Sequence, residues 1–459
     1  MAVTTVITDK DVEKGLSEII ISSNNPVPHQ TIFLSNIDQA VAFPVETLFF
    51  FDAGRTDQET SDIFDRVRRA LSEIFLDRYY FIAGRLRFSL EKNRLELFCN
   101  NAGVLFVPAM SSLRLSDLGD VSLPNPSFKH FIMRTDGFQA VDETPIYTVQ
   151  VTRFSCGGFT IGFVINHSVL DGKSVSDMYE NLASICRGEG VKKTGELIND
   201  RTYLKAREPP QIIFEHDEYI KLADLNYTTS FSSPDLVLPP ASYLQLSNTC
   251  TNIHRVFNFS SEMIEAMKKI SDVPKCSTFE AMVAQIWRSR TKAVFSDDDL
   301  TRISSVLFAI DIRSRISPPL PEGFIGNALI TARASAPVSD VVASPLSFCV
   351  EKVREAIVRV STDEFLRSVV DWLEVHKGVP ATVGGNFYLS AWWKLPFHQL
   401  DFGYGQPIYG GPVVSGMDEF VLLLDNGSGA GTGGINVLIV LDKVKMDRFE
   451  SHVFEFYNN

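Results

Sequence analysis

The sequence is short of several things, and each shortage closes off a class of protein. Six cysteines are spread through 459 residues, at Cys99, Cys156, Cys186, Cys250, Cys276 and Cys349. No two form a C-x-x-C pair, so neither a metal site nor a disulfide framework is indicated, and reduced, buried thiols are expected. Positive charge is in deficit: 43 Lys and Arg face 56 Asp and Glu, for a net charge of −13. Nucleic acid needs a basic stripe, so it is not expected as a partner. A few local cations could still hold the phosphates of one small anionic molecule, because only the nearby field matters. No apolar run approaches the roughly 20 residues of a membrane span, and MAVTTVITDKDVEKG at the start lacks a basic-then-apolar signal pattern. A cytoplasmic address and no membrane span are therefore expected. A G-x-S-x-G elbow and a Cys-His signature are both missing, which turns the reading away from a covalent acyl-enzyme.

What is present fits a large globular chain. Hydrophobic residues make up 45% and charged residues 22%, both near globular averages, and the length suits two domains of about 200 residues each. Phenylalanine is over-used, 34 against 4 Trp and 12 Tyr; such a load either lines an apolar tunnel or fills a large core, and the core is the simpler account.

Along the chain, Phe64, Val67, Leu71 and Phe75 recur at helical spacing within 61–80. Residues 145–153 and 159–165 read as strands joined at Cys156-Gly157-Gly158, a hairpin signal. After Asp171-Gly172 the pattern changes to Val175, Met178, Tyr179, Leu182 and Ile185, a helix of about four turns. Periodicity fades between 187 and 246, where Glu208-Pro209-Pro210, Ser232-Ser233-Pro234 and Pro239-Pro240 suit a long connection. The chain is thus divided into 1–195, a crossover at 196–246, and 247–459. The second half restarts with a strand at 252–259, a helix opened by Ser260, and a second helix at 278–294 capped by Ser277. Strands at 304–310 and from Ile330, and a helix at 346–360, follow. Residues 421–424 and 435–441 form the clearest hairpin, through a Gly-rich loop starting Asn426-Gly427-Ser428-Gly429.

One segment invites a chemical reading: Asn166-His167-Ser168-Val169-Leu170-Asp171-Gly172, where a strand hands over to a helix. An imidazole with a pKa near 6.5 can take a hydroxyl proton and return it to a leaving thiolate. A lone histidine beside an apolar strand is, however, more often a packed core residue, and spacing alone leaves both readings open.

His167 to Gly172 resembles the H-x-x-x-D-G motif of the plant BAHD acyltransferases. Asp401-Phe402-Gly403-Tyr404-Gly405 resembles their second signature, D-F-G-W-G, with Tyr404 in place of the usual Trp. The likeness extends through Leu34-Ser35-Asn36-Ile37-Asp38, Ala83-Gly84-Arg85-Leu86, residues 277–293, Asp311-Ile312-Arg313-Ser314-Arg315, Pro318-Pro319-Leu320-Pro321 and Gly326-Asn327, nearly the whole chain. It implies an α/β fold of two similar-sized, chloramphenicol-acetyltransferase-like domains joined by a long crossover loop, with a channel between them and His167 at its centre.

The resemblance also implies roles. His167 would be the general base, and Asp171 would pair with Arg313 to hold the loop. The Trp392 indole would face the oxyanion, although simple packing explains it as well. Ser390, Ser35 and Asn36 would line the acceptor pocket, and Ser277 would lie near CoA, where a helix N-terminus suits a phosphate, although it is equally a plain cap. Asp401 and Gly403 would be structural, supporting the CoA side. The implied protein is a monomer with no tightly bound cofactor, using acyl-CoA as co-substrate and a small alcohol or amine as acceptor. An aromatic or hydroxycinnamoyl donor is preferred over acetyl, from the Phe content and from an N-terminal region like that of hydroxycinnamoyl and fatty-alcohol transferases. Two rivals stand beside this reading: a catalytically silent accessory protein, and lyase chemistry on the same scaffold.

Overall fold

The computed structural model describes residues 5–22, 29–52, 60–138, 140–224, 252–413, 420–426 and 433–458. Two mixed sheets organise it. The first runs Val12–Lys14, Val104–Ser111, Tyr147–Phe154, Phe159–Asn166, Pro44–Phe51 and Tyr409–Pro412, with Glu18–Ile20 also on Val104–Ser111. The second runs Asn252–Phe259, Ile435–Asp442, Phe420–Asp425, Phe387–Ala391, Ile303–Asp311 and Leu329–Pro337. A small sheet of Gln30–Phe33, Arg94–Cys99 and Arg85–Ser89 flanks the first.

The elements follow from side-chain patterning. Tyr147–Phe154 and Phe159–Asn166 form the expected hairpin, antiparallel from Tyr147 opposite Ile165 to Arg153 opposite Phe159. Val421 pairs with Ile439 in the second hairpin; Gly427, Ser428 and Gly429 of its loop lie outside the described residues. The 61–80 helix is one helical run, Ile63–Ala70, a π-turn at Leu71–Phe75 and Leu76–Arg78. Ser260 and Ser277 both cap their helices as expected, each accepting the N3 backbone N–H.

The core absorbs the phenylalanines. Phe49, Phe50, Phe51, Phe75, Phe131, Phe159 and Phe163 are fully buried, and they stack on one another and on Tyr147 and Tyr179 through the first sheet. Edge-to-face and offset ring packing accounts for their number, so the Phe content is no argument for an aromatic donor.

The two halves exchange segments. Residues 397–413 belong to the second half by sequence but pack on the first: Tyr409–Pro412 pairs with Pro44–Phe51 as its edge strand, and Phe397, Leu400, Phe402 and Tyr404 join the first core. An extended segment whose apolar residues match another sheet's edge gives no sign of that in local periodicity. The described part of the crossover is, in turn, tied to the second half. Asp371 accepts N–H groups of Arg207 and Gln211, Ser368 accepts those of Ile213 and Phe214, and Tyr219–Ile220 pairs with Val379–Pro380. Its remainder, with Ser232-Ser233-Pro234 and Pro239-Pro240, lies outside the described residues, as does Cys250.

Candidate active site

Strand Phe159–Asn166 ends beside Pro44–Phe51, and the next residue is His167. The turn that follows is set by Asn166, whose side chain accepts the N–H and the hydroxyl of Ser168 at 3.1 and 2.7 Å. Val169 and Leu170 then drop into the core, and Asp171 caps helix Gly172–Cys186.

Both backbone polar groups of His167 are fixed. Its N–H donates to the Phe43 carbonyl at 2.8 Å, and its own carbonyl accepts from Asn327 Nδ2 at 2.7 Å. The ring leans on Phe43, centroids 5.4 Å apart. Nδ1 is buried without a hydrogen-bond partner, so Nε2 is the nitrogen left to meet a substrate. Burial lowers the imidazole pKa; the ring's own backbone carbonyl, Asp171, Asn327 and Asp38 oppose this without reversing it. Burial thus favours the neutral ring, the state a base requires.

Asp171 is saturated elsewhere and turns no oxygen toward the imidazole. One carboxylate oxygen accepts the Ser174 N–H at 2.9 Å; the other accepts Arg313 at 2.7 Å and the Ala328 N–H at 3.1 Å. Arg313 also reaches Ser174 Oγ and the Gly326 carbonyl, both at 3.1 Å. The pair spans the two halves, and Asp171 is fully buried.

The other sequence-derived residues fall in different places. Trp392 gives its indole N–H to Ser390 Oγ at 3.1 Å, and its segment approaches the histidine loop, since Leu395 sits against Gly172. Ser277 spends its side chain in a capping box, accepting from Glu280 N–H at 3.2 Å while Glu280 returns to the Ser277 N–H at 2.7 Å. A carboxylate already occupies that helix terminus, and it is paired with Arg354. Ser35 and Asn36 are buried: Ser35 binds Asp38, and Asn36 donates to the Val370 carbonyl and accepts from Arg94. Their polar groups are engaged within the scaffold.

Asp401 shapes its own loop, accepting N–H groups of Gly403, Tyr404 and Gly405 at 2.7, 3.0 and 3.0 Å. Gly403 has φ +103, and a Cβ there would strike Arg66. Tyr404 donates to Asp62 and stacks under Arg66, 4.9 Å from the ring centre. This loop is a buckle on the first core.

Three residues given no role above prove central. Asp38, Asn327 and Arg201 surround the histidine loop from three separate stretches of chain. Asp38 and Asn327 lie inside stretches that carried the resemblance; Arg201 lies in what read as a featureless connection. Both halves also line a small cavity, with Phe128 and Tyr409 on one side and Val256, Leu424 and Leu438 on the other. His167 is not among its walls. Among the described residues, no cluster could hold a metal ion and no helix is long and apolar enough to cross a membrane.

The family model described as the transferase family matches residues 10–456. The chain belongs to the BAHD family of acyl-CoA-dependent acyltransferases. This acyltransferase is 35% identical to Acyltransferase GLAUCE of Arabidopsis thaliana, covering 98% of this chain and 97% of that protein. It is 33% identical to the omega-hydroxypalmitate O-feruloyl transferase of the same plant, covering 92% and 88%, and 31% identical to its fatty alcohol:caffeoyl-CoA acyltransferase, covering 94% and 96%. The fold of the BAHD chain is that of vinorine synthase, with a TM-score of 0.72, 21% identity and coverage of 95% and 96%. It is also that of Fusarium graminearum TRI101 solved with coenzyme A and deoxynivalenol, with a TM-score of 0.71, 16% identity and coverage of 92% and 97%.

Proposed function

We propose that this BAHD acyltransferase moves a hydroxycinnamoyl-type acyl group from CoA to the hydroxyl of a long-chain alcohol or hydroxy fatty acid, with His167 as general base. The base assignment rests on the placement of the imidazole at a strand end, its main chain held at both polar groups while Asp171 faces Arg313, with burial favouring its neutral form. Nε2 takes the acceptor's hydroxyl proton as the oxygen attacks the thioester carbonyl. The tetrahedral intermediate collapses with loss of the CoA thiolate, and the imidazolium returns the proton to sulfur. The Ser390–Trp392 pair supplies the oxyanion donor: because the indole already donates to Ser390 Oγ, the serine hydroxyl proton is the one left to point at the developing charge. Asp171 and Arg313 keep the loop in shape and transfer no proton.

The acyl and acceptor classes rest on the relatives that act on omega-hydroxypalmitate with feruloyl groups and on fatty alcohols with caffeoyl-CoA. Incubation with equal feruloyl-, caffeoyl-, benzoyl- and acetyl-CoA, against a panel of long-chain alcohols, shikimate and putrescine, tests them by product mass. The expected products are feruloyl and caffeoyl esters of the long-chain alcohols. Exclusive use of acetyl-CoA, amide formation on putrescine alone, or products lacking the acyl mass would contradict the proposal.

A further inference from the structure

The histidine loop has carbonyls at His167 and Val169, and each accepts from a buried side chain that a single carboxylate organises. Asn327 Nδ2 donates to the His167 carbonyl at 2.7 Å and to Asp38 Oδ1 at 2.8 Å, and the Asn327 main-chain N–H reaches the same oxygen at 3.2 Å. Both partners of Nδ2 are acceptors only, so the amide cannot flip without setting its oxygen against a carboxylate. Arg201 Nη2 donates to the Val169 carbonyl at 2.6 Å, while its Nε lies 3.8 Å from Asp38 Oδ2. Ser35 N–H and Oγ complete the Asp38 shell at 2.7 and 2.8 Å.

Asp38, Arg201 and Asn327 are at most 1% exposed. A charge pair at that depth is not an efficient way to gain stability, since desolvation offsets most of the attraction. Its effect here is geometric. The carboxylate comes from the N-terminal helical turn, the guanidinium from the crossover and the amide from the second half, so the position of the loop depends on how all three meet. Gly326 packs on Arg201, where a Cβ would clash with Nε, which fixes the guanidinium from the far side. Asn327 Oδ1 and His167 Nδ1 are both buried and without a hydrogen-bond partner. They are complementary, since an Nδ1–H pointed at that oxygen would leave Nε2 unprotonated.

We propose that Asp38 is a positioning residue for His167, acting through Asn327 and Arg201 to fix both carbonyls of the loop and, through Asn327, the imidazole. The assignment rests on His167 being the base. It separates a catalytic arrangement, His167 alone, from the support that aims it, and it places that support at the junction of three chain segments.

The test compares Asp38→Asn, Asn327→Ala, their double variant and His167→Ala in steady-state acyl transfer with feruloyl-CoA, with Tm recorded for each. Misplacement of a base by about 1 Å costs on the order of 100-fold in rate. Asp38→Asn and Asn327→Ala should each lower kcat by about 10- to 100-fold with KM for feruloyl-CoA within about twofold of wild type. The double variant should be no slower than the slower single one, because the two residues act in series. Asn327→Ala leaves the Asp38–Arg201 pair in place and carries the test alone if Asp38→Asn does not fold. Wild-type kcat in folded Asn327→Ala, or multiplied losses in the double variant, would overturn the proposal. Full activity in His167→Ala would instead overturn the base assignment beneath it.

Discussion

At the scale of the residue, environment separates the two members of the H-x-x-x-D motif. Asp171 has every carboxylate contact directed into the junction of the halves. Asp171→Ala should therefore destabilise by up to about 3 kcal/mol, because Arg313 Nη2 and the Ala328 N–H lose their buried acceptor while Arg313 keeps only its exposed-side pair with Asp311, with about 1 kcal/mol more from the lost helix cap. Chemical denaturation measures this, and Asp171→Asn, which keeps a cap acceptor, should fall between the two. His167 behaves in the opposite sense, as a group whose charge is refused. Burial holds its pKa below the ordinary 6.5, so the unfolded chain takes up a proton near that pH which the folded site does not. The group is neutral in its effect above that pH and erodes stability as pH falls below it. The Tm of His167→Phe should decline less steeply than wild type between about pH 7 and about pH 5. For the same reason the acidic limb of kcat/KM should lie below pH 6.5.

At the scale of the element, most of the structure was legible where apolar periodicity and caps agree. Ser277-Thr278-Phe279-Glu280 is a capping box in sequence and in space. Ser277→Ala should cost about 1 kcal/mol in stability while the acyl-CoA KM stays unchanged; a raised KM would mean that the serine also touches CoA. Helix Asp363–His376, capped by Thr362 and burying Phe365, Leu366, Val369 and Leu373, has an equally regular pattern, and Ser368 and Asp371 on it anchor the crossover. Strand Tyr409–Pro412 is different in kind. Two of its four residues are glycine, and what makes it a strand is the edge of Pro44–Phe51, far away in sequence. Arg201 was invisible for the same reason: nothing local distinguishes a buried arginine in a connection from a solvated one. Tyr404 shows how a signature tolerates change, since its ring packs edge-to-face on Phe159 and its hydroxyl finds Asp62.

At the scale of the molecule, the halves are interlocked. The first sheet takes its last strand and four core side chains from residues 397–412, while the crossover closes on helix Asp363–His376. A fragment ending at Asp224 would lack Phe397, Phe402, Tyr404 and the edge strand, and should show no cooperative unfolding transition by circular dichroism, whereas the full chain should unfold in one. The histidine loop lies where these exchanges converge, within reach of groups from the N-terminal turn, the crossover and the second half. The most direct test of this account is acyl transfer by His167→Ala at pH 7, with feruloyl-CoA and a long-chain alcohol, by a variant shown to keep the wild-type circular dichroism spectrum. Loss of general-base catalysis should lower kcat by about 100- to 10,000-fold with the acyl-CoA KM little changed. A folded His167→Ala enzyme that still transfers the acyl group within a few-fold of the wild-type rate would contradict it.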